Sequence, residues 1–570
     1  MVPPGDTAPA PSARRAVQDL LARAWQAAEA GGELPVVLDA ERPAIEVAHP
    51  ADPTHGDLAT NLALKLARPL RRSPLAIAET LAAALRTEAA STTGGVPALV
   101  AEASAVAPGF VNLRLAPAWL EATIDAALAA GPGFGRLHQV QPRHVNVEFV
   151  SANPTGPLHI GNARGAFVGD LLCRVLEEAG HQVTREYYFN DFGAQVRHLG
   201  ASVLALREGR AVPEDGYRGE YVGELAGELP ADVLAAATAA DADAEDVIGR
   251  WASERVRAGI EVSLARLGVR FDVWKSESSL YRDGWVARAV ERLQAAGKLY
   301  EQDGALWFRS TEYGDDKDRV VRRSNGEFTY FGSDIGYVLD KWERGFDPLL
   351  YLWGQDHHGT VARLRNAAQA MGLPEGAVRV LLIAWVRFVR DGREVSMSKR
   401  AGEFITLDEL LSEIGVDAAR WFFAARGATV GIDFDIELAK KQSAENPVYY
   451  VQYAHARIAS LLRKAAEAGL TPASSLAGAL DGDEVAQGLA KIVLRLPEVV
   501  EDAAAAEETQ GVPTYATELA TTFHAYYRDR RVVDPADPAT SARRLRLVDA
   551  TRVALANALA LLGISAPEAM

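Results

Sequence analysis

Two consecutive strand–helix units between residues 144 and 209 constrain the fold of this chain more than any other feature. The run HVNVEFVS has strand composition and precedes the helical pattern of ARGAFVGDLLCRVLEEAG; HQVTREYYFND and FGAQVRHLGASVLALREG then repeat that order. A strand that returns to its sheet through a helix runs parallel to its predecessor. The sequence therefore predicts an α/β fold on a parallel sheet, with further strands at ALWFRS, FTYFGSDIGYVLDK, LLYLWGQDHHG and VLLIAWVRFV.

The length of the chain predicts several domains, because 570 residues exceed what one hydrophobic core holds. Residues 1–116 have the pattern of a small α+β domain. Residues 117–435 hold the parallel-sheet domain, within which 205–295 are predicted to form a mostly helical insertion that includes an acidic, Ala-rich segment at 231–250. Residues 436–570 are almost wholly helical in pattern and predict an all-α domain.

Composition and cysteine content exclude several classes of protein. No apolar run approaches the ~20 residues of a membrane span, and the amino terminus lacks the apolar segment of a secretory signal. Cys173 is the only cysteine, so the chain cannot form an internal disulfide or a Cys-rich zinc site. We therefore expect a cytoplasmic protein with no membrane contact and no protein-bound zinc.

The net charge of −16 argues, taken alone, against a polyanionic partner. Binding is decided by the local potential, however, and basic residues cluster in ARPLRRS, RIASLLRK and YYRDRRVV. The last run places tyrosines, which stack on unpaired bases, among the cations. Each run taken singly is more simply a solvated helix face.

The stretch NPTGPLHIGN, residues 153–162, lies where the first predicted strand gives way to its helix. Such junctions collect anionic ligands, because unpaired N–H groups and the helix dipole favour negative charge. His159 and Asn162 are three residues apart on one face of the first turn, and Gly161 lets a ligand approach the backbone. The pattern suits a nucleoside triphosphate, although His159 and Asn162 could instead be helix caps.

A second stretch, RDGREVSMSKRAG at residues 390–402, is a cationic loop with Arg393, Lys399 and Arg400. Loops of this kind can swing over phosphates and neutralise the charge that builds up as a phosphoanhydride breaks. Taken by itself, the stretch could equally be an ordinary solvated loop.

Together the two stretches resemble the paired HIGH and KMSKS signatures of class I aminoacyl-tRNA synthetases, written here His159-Ile160-Gly161-Asn162 and Ser396-Met397-Ser398-Lys399-Arg400. NVEFVSANPTGPLHIGNARGA, YYFNDFGAQ, GDDKDRVVRRSNGEFTYFGSDIGY, GQDHHG, GVDAARWFFAARG and LLGISAPEAM are similar to successive blocks of bacterial-type arginyl-tRNA synthetases. HGDLATNLALKLAR and GFVNLRL resemble the N-terminal domain peculiar to that family. The resemblance covers nearly the whole chain, and the ordered set of motifs is very specific.

The resemblance implies a Rossmann-like class I catalytic domain, preceded by a tRNA-contacting N-terminal domain and followed by a helical anticodon-binding domain. The implied reaction activates L-arginine with ATP to arginyl-adenylate and pyrophosphate, and then transfers arginine to the 3′-terminal adenosine of tRNA-Arg. Mg²⁺ would be bound with ATP. By the same resemblance we expect a monomer.

The resemblance also carries functional roles onto particular residues. Catalysis is predicted for His159, Asn162 and Lys399. ATP binding is predicted for Pro157, His159, Gly161, Asn162, Gly354, Asp356, His357, Met397, Ser398 and Lys399. Arginine binding, which requires carboxylates and planar acceptors around a forked donor, is predicted for Glu148, Ser151, Asn153, His159, Tyr330, Asp334 and Gln355. Contact with tRNA is predicted for Tyr449, Tyr453, His455, Arg457, Arg528 and Arg531.

The chain departs from the generic signatures at two positions. Asn162 replaces the second histidine of HIGH and retains a donor, whereas Ser396 replaces the first lysine of KMSKS. We hypothesise that Arg164, Arg393 or Arg400 supplies the missing charge. Two other functions are left open: a tRNA-binding relative without catalysis, and a class I-like ligase that joins an amino acid to a small molecule.

Overall fold

The amino-terminal region packs helices against a three-stranded antiparallel sheet of strand order β1-β3-β2. The computed structural model describes residues 12–90, 97–139, 141–239, 242–394 and 406–570. The segment AIEVAHP has the composition of a strand, but in the structure it forms an isolated bridge between Ala48 and Ala59. The elements of this region are α1 (Ala13–Ala30), β1 (Leu58–Thr60), α2 (Leu62–Leu70), α3 (Pro74–Ala90), β2 (Val100–Val106), β3 (Phe110–Leu115) and α4 (Pro117–Ala130).

The middle region holds the remaining strands. Its elements in chain order are β4 (His144–Glu148), α5 (Ile160–Glu178), β5 (Gln182–Phe189), α6 (Ala194–Arg207), α7 (Glu220–Glu228), α8 (Ala231–Ala237), α9 (Ala244–Arg266), β6 (Val273–Ser276), α10 (Glu277–Arg282), α11 (Trp285–Ala295), β7 (Leu299–Gln302), β8 (Ala305–Phe308), β9 (Arg319–Arg322), α12 (Tyr330–Glu343), β10 (Leu349–Gly354), α13 (His358–Ala370), β11 (Val378–Ile383), β12 (Val386–Arg390), β13 (Arg393–Glu394), α14 (Leu407–Ile414), α15 (Val416–Ala424), β14 (Ile432–Asp435) and α16 (Ile436–Lys440).

Five of these strands form a parallel sheet of order β11-β10-β4-β5-β6, which confirms the predicted α/β fold. The chain builds the sheet outward from β4, first to β5 and β6 and then, on the other side, to β10 and β11. The crossover direction therefore reverses between β4 and β10. Such a reversal opens a crevice at the carboxyl ends of the two strands, where ligands of open α/β sheets bind.

The segment FTYFGSDIGYVLDK, predicted as a strand, is instead helix α12. Thr329 caps its first turn, and Phe331, Ile335 and Leu339 are buried at a spacing of four residues. The helical period of these apolar side chains therefore outweighs the strand preference of the aromatic residues in the segment. As a consequence Tyr330 and Asp334 lie one turn apart on a helix.

The stretch 205–295 is not helical throughout, because β6 belongs to the central sheet. Two further small sheets, β7-β8-β9 and β13-β12-β14, flank that sheet. The carboxyl-terminal region is helical, as predicted, with α17 (Pro447–Glu467), α18 (Glu484–Val493), α19 (Leu496–Ala506), α20 (Gly511–Asp529) and α21 (Pro538–Leu562). Among the described helices, none combines the length and the apolar character that crossing a bilayer requires.

Candidate active site

A cleft of about 1380 Å³ opens at the carboxyl ends of β4 and β10. The loop after β4, the first turns of α5, the turn after β10 and the chain after β11 line it. The cleft brings together ten residues predicted from the sequence: Ser151, Asn153, Pro157, His159, Gly161, Asn162, Gly354, Gln355, Asp356 and His357.

The first turn of α5 is held by reciprocal caps. The His159 Nδ1 atom accepts a hydrogen bond from the N–H of Gly161 at 3.1 Å, and the Asn162 Oδ1 atom accepts one from the N–H of His159 at 3.3 Å. Since Nδ1 accepts, a neutral His159 ring carries its proton on Nε2. The capping alternative is therefore realised, and the caps fix both side chains at the wall of the cleft.

Gly161 is needed for the His159 cap. A Cβ atom at this position would lie 2.8 Å from the Nδ1 and Cε1 atoms of the His159 ring. Real Cβ atoms do not approach other atoms so closely, so a side chain here would displace the ring. The glycine therefore serves the geometry of the histidine as well as access to the backbone.

The chain re-enters the described structure against this turn. Ser396, Met397, Ser398, Lys399 and Arg400 lie outside the described residues. Before them, Glu394 pairs with Val389 of β12. After them, Thr406 forms an isolated bridge with His159, and the N–H of Leu407 donates to the Leu158 carbonyl at 3.1 Å.

An acidic slot, defined here as Glu148, Glu277 and Asp334, lies at the carboxyl ends of β4 and β6 and on the second turn of α12. Burial and the nearby Glu277 and Glu148 carboxylates raise the pKa of Asp334 to about 7, against the opposing charge of Arg363. Burial also raises the pKa of Glu277, although Ser333 donates to its Oε1 atom at 2.8 Å. Within the described ranges, no Lys, Arg or His forms an ion pair with Asp334 or Glu277. The slot therefore lacks a cation of its own for these two acids.

Sequence reasoning missed Glu277. The residue directly follows β6, and a carboxylate at the carboxyl end of a parallel strand points toward the ligand edge of the sheet. The signal was hidden because the surrounding stretch was interpreted as a helical insertion. The strand VWKS before it is short, and only its pairing with β5 identifies it as part of the sheet.

The predicted arginine-binding residues divide between the slot and the cleft. The Glu148 carboxylate forms an ion pair with Lys341 at 2.6 Å and accepts a hydrogen bond from the Ser151 hydroxyl at 3.1 Å. Asn153 donates to Gln195 at 2.8 Å at the wall of the cleft. Tyr330 is 72% exposed at the start of α12, one turn before Asp334.

Arg164 does not face the cleft as a substitute for the missing lysine. Its guanidinium is fully buried and donates to the carbonyls of Ala384 at 2.9 Å and Gly427 at 2.8 Å. Burial without a carboxylate partner lowers the pKa of Arg164 to about 10. The hypothesis therefore passes to Arg393, which is exposed on β13, and to Arg400, which lies outside the described residues.

An aromatic and cationic surface lies on α17 and α20. The rings of Tyr449 and Tyr453 are nearly parallel with centroids 6.3 Å apart, and Arg457 donates to the Tyr453 hydroxyl at 2.9 Å. The Arg457 guanidinium also lies 5.5 Å from the ring centroid of Tyr527. These groups offer flat faces and donors of the kind that bind unstacked bases.

Other predicted tRNA contacts lie differently. His455 is buried, with its Nδ1 atom 2.8 Å from the Pro567 carbonyl, because the carboxyl-terminal tail covers it. His455 is close to the tyrosines in sequence, but it lies on the inner, buried face of α17. Arg528 and Arg531 are exposed, and each is close to a neighbouring acid, Asp529 and Asp534 respectively.

The described residues contain no group of three or more His, Cys, Asp or Glu side chains placed to hold a metal ion. Cys173 is buried on α5, where burial raises the pKa of its thiol. The cleft does contain two carboxylates, Glu214 and Asp356, in its lining.

The chain matches three protein-family models in succession. Residues 14–115 match the arginyl-tRNA synthetase N-terminal domain. Residues 123–213 and 241–429 match the catalytic domain of class I (R) tRNA synthetases. Residues 451–570 match the DALR anticodon-binding domain.

The chain is similar, over nearly its whole length, to proteins named arginine–tRNA ligase. The chain is 45% identical to arginine–tRNA ligase of Syntrophotalea carbinolica over 93% of this chain and 95% of that protein. It is 41% identical to arginine–tRNA ligase of Bacillus subtilis over the same shares. The solved arginyl-tRNA synthetase of Thermus thermophilus superposes with a TM-score of 0.73 at 25% identity, covering 98% of this chain and 100% of that one. The chain therefore belongs to the arginyl-tRNA synthetase family of class I aminoacyl-tRNA synthetases.

Proposed function

We propose that the protein is an arginine–tRNA ligase, which activates L-arginine with ATP and transfers it to the 3′-terminal adenosine of tRNA-Arg. The observation that carries the proposal is the acidic slot, whose Asp334 and Glu277 have no cationic partner among the described residues, beside a large cleft at the N-terminus of α5. A guanidinium supplies the charge that the slot lacks, and a triphosphate suits the helix N-terminus.

ATP binds in the cleft against the first turn of α5 and the turn after β10. Pro157, Gly161, Gly354, Asp356 and His357 line this part of the cleft. Asp356 and Glu214 would provide the one or two carboxylates that a Mg²⁺ ion bound with ATP commonly uses, and the ion would supply positive charge to the phosphate oxygens. Met397 and Ser398 complete the nucleotide site in this proposal.

Lys399 belongs to the same site by chain connectivity. Thr406, whose backbone pairs with His159, is seven positions after it in the sequence. An extended chain spans at most about 3.5 Å per residue, so Lys399 stays within about 25 Å of that bridge. In this proposal its ammonium binds the phosphates of ATP.

Arginine lies with its guanidinium in the slot and its α-carboxylate toward the cleft. Asp334 and Glu277 accept the forked N–H groups, and Tyr330 closes over the side chain from the start of α12. Ser151, Asn153 and Gln355 bind the ammonium and carboxylate end. Lysine is rejected, because a single ammonium leaves carboxylates built for a fork partly unpaired.

Activation is an in-line displacement. An oxygen of the arginine carboxylate forms a bond to the α-phosphorus of ATP, the bond from that phosphorus to the bridging oxygen breaks, and pyrophosphate leaves. His159, Asn162 and Lys399 stabilise the charge that spreads over the phosphate oxygens. A ribose hydroxyl of the tRNA then attacks the activated carbonyl and releases AMP.

The tRNA spans three domains with the proposed boundaries 1–116, 117–435 and 436–570. The surface of Tyr449, Tyr453 and Arg457 reads unstacked bases, Arg528 and Arg531 contact phosphates, and the amino-terminal domain contacts the outer corner of the tRNA. We propose a monomer that acts in the cytoplasm.

The test is pyrophosphate exchange and tRNA charging by the purified protein. We expect arginine-dependent exchange that requires tRNA, and transfer of labelled arginine to tRNA-Arg that requires ATP. Exchange with no tRNA charging would favour the small-molecule ligase, and tRNA binding without exchange would favour the catalytically silent relative. Arg393→Ala and Arg400→Ala test which residue replaces the missing lysine. If Lys399→Ala loses more exchange activity than either variant, neither arginine supplies the missing charge.

A further inference from the structure

A buried lysine stands behind the acidic slot. Lys341 of α12 has no exposed surface, and its Nζ atom lies 2.6 Å from the Oε2 atom of Glu148. The same atom lies 4.1 Å from the ring centroid of Tyr337 and 3.9 Å from that of Tyr351. Two aromatic faces and one carboxylate therefore fix the position of the ammonium.

The charges around this lysine form a compensated layer. Three cations, Lys275, Lys341 and Arg344, face three buried carboxylates, Asp340, Glu148 and Glu186. Glu186 also accepts a hydrogen bond from the Tyr337 hydroxyl at 2.7 Å. Among the described acids of this layer and the slot, only Asp334 and Glu277 remain without a cation. Lys341 thus gives Glu148 a different role from the other two acids of the slot.

The second oxygen of Glu148 holds a strained turn. Its Oε1 atom accepts from the Ser151 hydroxyl at 3.1 Å, and the Ser151 oxygen accepts from the N–H of Tyr188 at 3.2 Å. Val150 and Ser151 have φ angles of 68° and 41°, a left-handed conformation that is unfavourable for residues other than glycine. Such a conformation persists only where the surroundings hold it, and it is common at ligand sites.

The strained turn lies between the slot and the cleft. Val150, Ser151 and Asn153 line the cleft, and Glu148 is the last residue of the strand that precedes them. The rings of Tyr337 and Tyr351, Lys341, Glu148 and Ser151 therefore form a continuous series of contacts from the buried layer to the wall of the cleft.

We propose that Lys341 is a positioning residue for arginine activation: it fixes the Glu148 carboxylate, which holds the Ser151 turn where the amino-acid slot meets the nucleotide cleft. This inference rests on the proposed function, because it assigns the turn to the arginine site. Lys341 itself contacts no substrate and acts only through Glu148.

The test is a double-mutant cycle on the pair. We expect Lys341→Met to lower kcat/KM for arginine by about tenfold or more, mainly through KM for arginine, because a misplaced turn weakens substrate positioning. Glu148→Gln lowers it as well. Because both changes break the same link, the double variant should match Glu148→Gln within about twofold. Losses that multiply in the double variant would overturn the inference.

A split between KM and kcat supplies a readout that a general loss of packing would not give. Because Lys341 contacts no reacting atom, we expect Lys341→Met to raise KM for arginine while kcat at saturating arginine stays within about threefold of the wild type. A loss in kcat with KM for arginine unchanged contradicts the proposal.

Lys275→Met is the matched control. Lys275 also pairs with a buried carboxylate of the layer, Asp340, at 3.1 Å, but Asp340 does not contact the turn. We expect its KM for arginine to stay within about twofold of the wild type. An equal loss in this control would show that any broken pair in the layer has the same effect, and would overturn the assignment to Lys341.

Folding and function can be separated in this experiment. If Lys341→Met alone does not fold, the double variant is compared with Glu148→Gln instead, because the double variant leaves no uncompensated buried charge. A further loss of about tenfold in kcat/KM for arginine in the double variant overturns the inference. A wild-type protein that fails to charge tRNA with arginine would sink the proposed function itself. An active wild type with multiplying losses sinks only the role of Lys341.

Discussion

Among single residues, Asp334 has the largest expected effect on arginine binding in the acidic slot. Its pKa of about 7 reflects burial and the two neighbouring carboxylates of Glu277 and Glu148. A bound guanidinium favours the ionised form, so arginine must displace a proton below pH 7. We expect KM for arginine to rise by up to about tenfold per pH unit below 7 and to level off above it. KM for ATP over the same range is the control, and an arginine KM equal at pH 6 and pH 8 would contradict the account.

The same residue should oppose stability. The pKa of Asp334 is raised in the folded protein above its unfolded value, so the folded state disfavours the ionised carboxylate. With respect to this group, the folded protein is therefore most stable at acid pH, where Asp334 is protonated in both states, and loses stability as the pH rises through about 7. Without arginine, Asp334→Asn should therefore raise Tm at pH 8 while lowering kcat/KM for arginine by about 100-fold or more. Thermal unfolding and charging assays on one preparation check both directions. A lower Tm at pH 8 would show that Asp334 is paired in the folded protein.

Gly161 provides a steric prediction. Gly161→Ala places a methyl group 2.8 Å from the His159 ring and should displace it, lowering kcat/KM for arginine and ATP by about 100-fold through misplacement of the donor. Gly359→Ala is the control, since a Cβ atom there meets nothing within 4 Å. Equal activity of the two variants would show that the His159 cap has no part in catalysis.

Sequence alone predicted side chains that lie in contiguous motifs and missed those set by packing. His159, Asn162 and the turn after β10, which were named from their motifs, line one cleft. Glu277 was missed because a short strand carries it into the slot. His455 and Arg164 were predicted from their neighbours in sequence, but the helix face on which each lies decided its burial.

At the scale of elements, Arg420 of α15 joins three other segments. Its guanidinium donates to Asp170 of α5 at 2.8 Å, to the Leu562 carbonyl at the end of α21 at 3.0 Å, and to the Leu267 carbonyl at 3.1 Å. Helix α5, which carries the proposed nucleotide site, is thus tied directly to the last helix of the carboxyl-terminal region.

Arg420→Met should lower stability markedly, because it leaves the buried Asp170 without its main partner and three segments unlinked. The free energy of unfolding should fall by about 3 kcal/mol or more. Arg174 also pairs with Asp170, but its side chain is 32% exposed, so Arg174→Met should lower the free energy of unfolding by about 1 kcal/mol or less. Asp170→Leu in the Arg420→Met background should restore part of the loss. Denaturant unfolding measures all three, and equal losses for the two arginines would contradict this assignment.

The alternation of strands and helices was predictable because apolar periods of two and about 3.6 residues differ over a full element. α12 was not, since its aromatic residues have strand preference and only its cap and its contacts with neighbouring elements define the helix. The order of the sheet also depends on contacts distant in sequence, such as Tyr351 of β10 opposite Glu148 of β4.

At the scale of the whole molecule, the amino-terminal and carboxyl-terminal regions contact each other directly. His49 lies between two acceptors, the Asp57 carbonyl at 3.0 Å and the buried Glu498 carboxylate at 2.7 Å, and the N–H of Arg14 donates to Glu498 at 2.9 Å. Lys491 pairs with Asp57 across the same junction at 2.7 Å. The surfaces proposed for the outer corner and the anticodon of one tRNA are therefore held together across this junction.

In the proposed complex, one arginine and one ATP meet at the edge of the parallel sheet, with the guanidinium in the acidic slot and the phosphates on α5. A crystal structure with arginine and a non-hydrolysable ATP analogue would test this arrangement. We expect guanidinium nitrogens within about 3.2 Å of carboxylate oxygens of both Asp334 and Glu277, with the triphosphate against the turn that begins at His159. A guanidinium bound elsewhere, with Asp334 and Glu277 still lacking a cation, would contradict it.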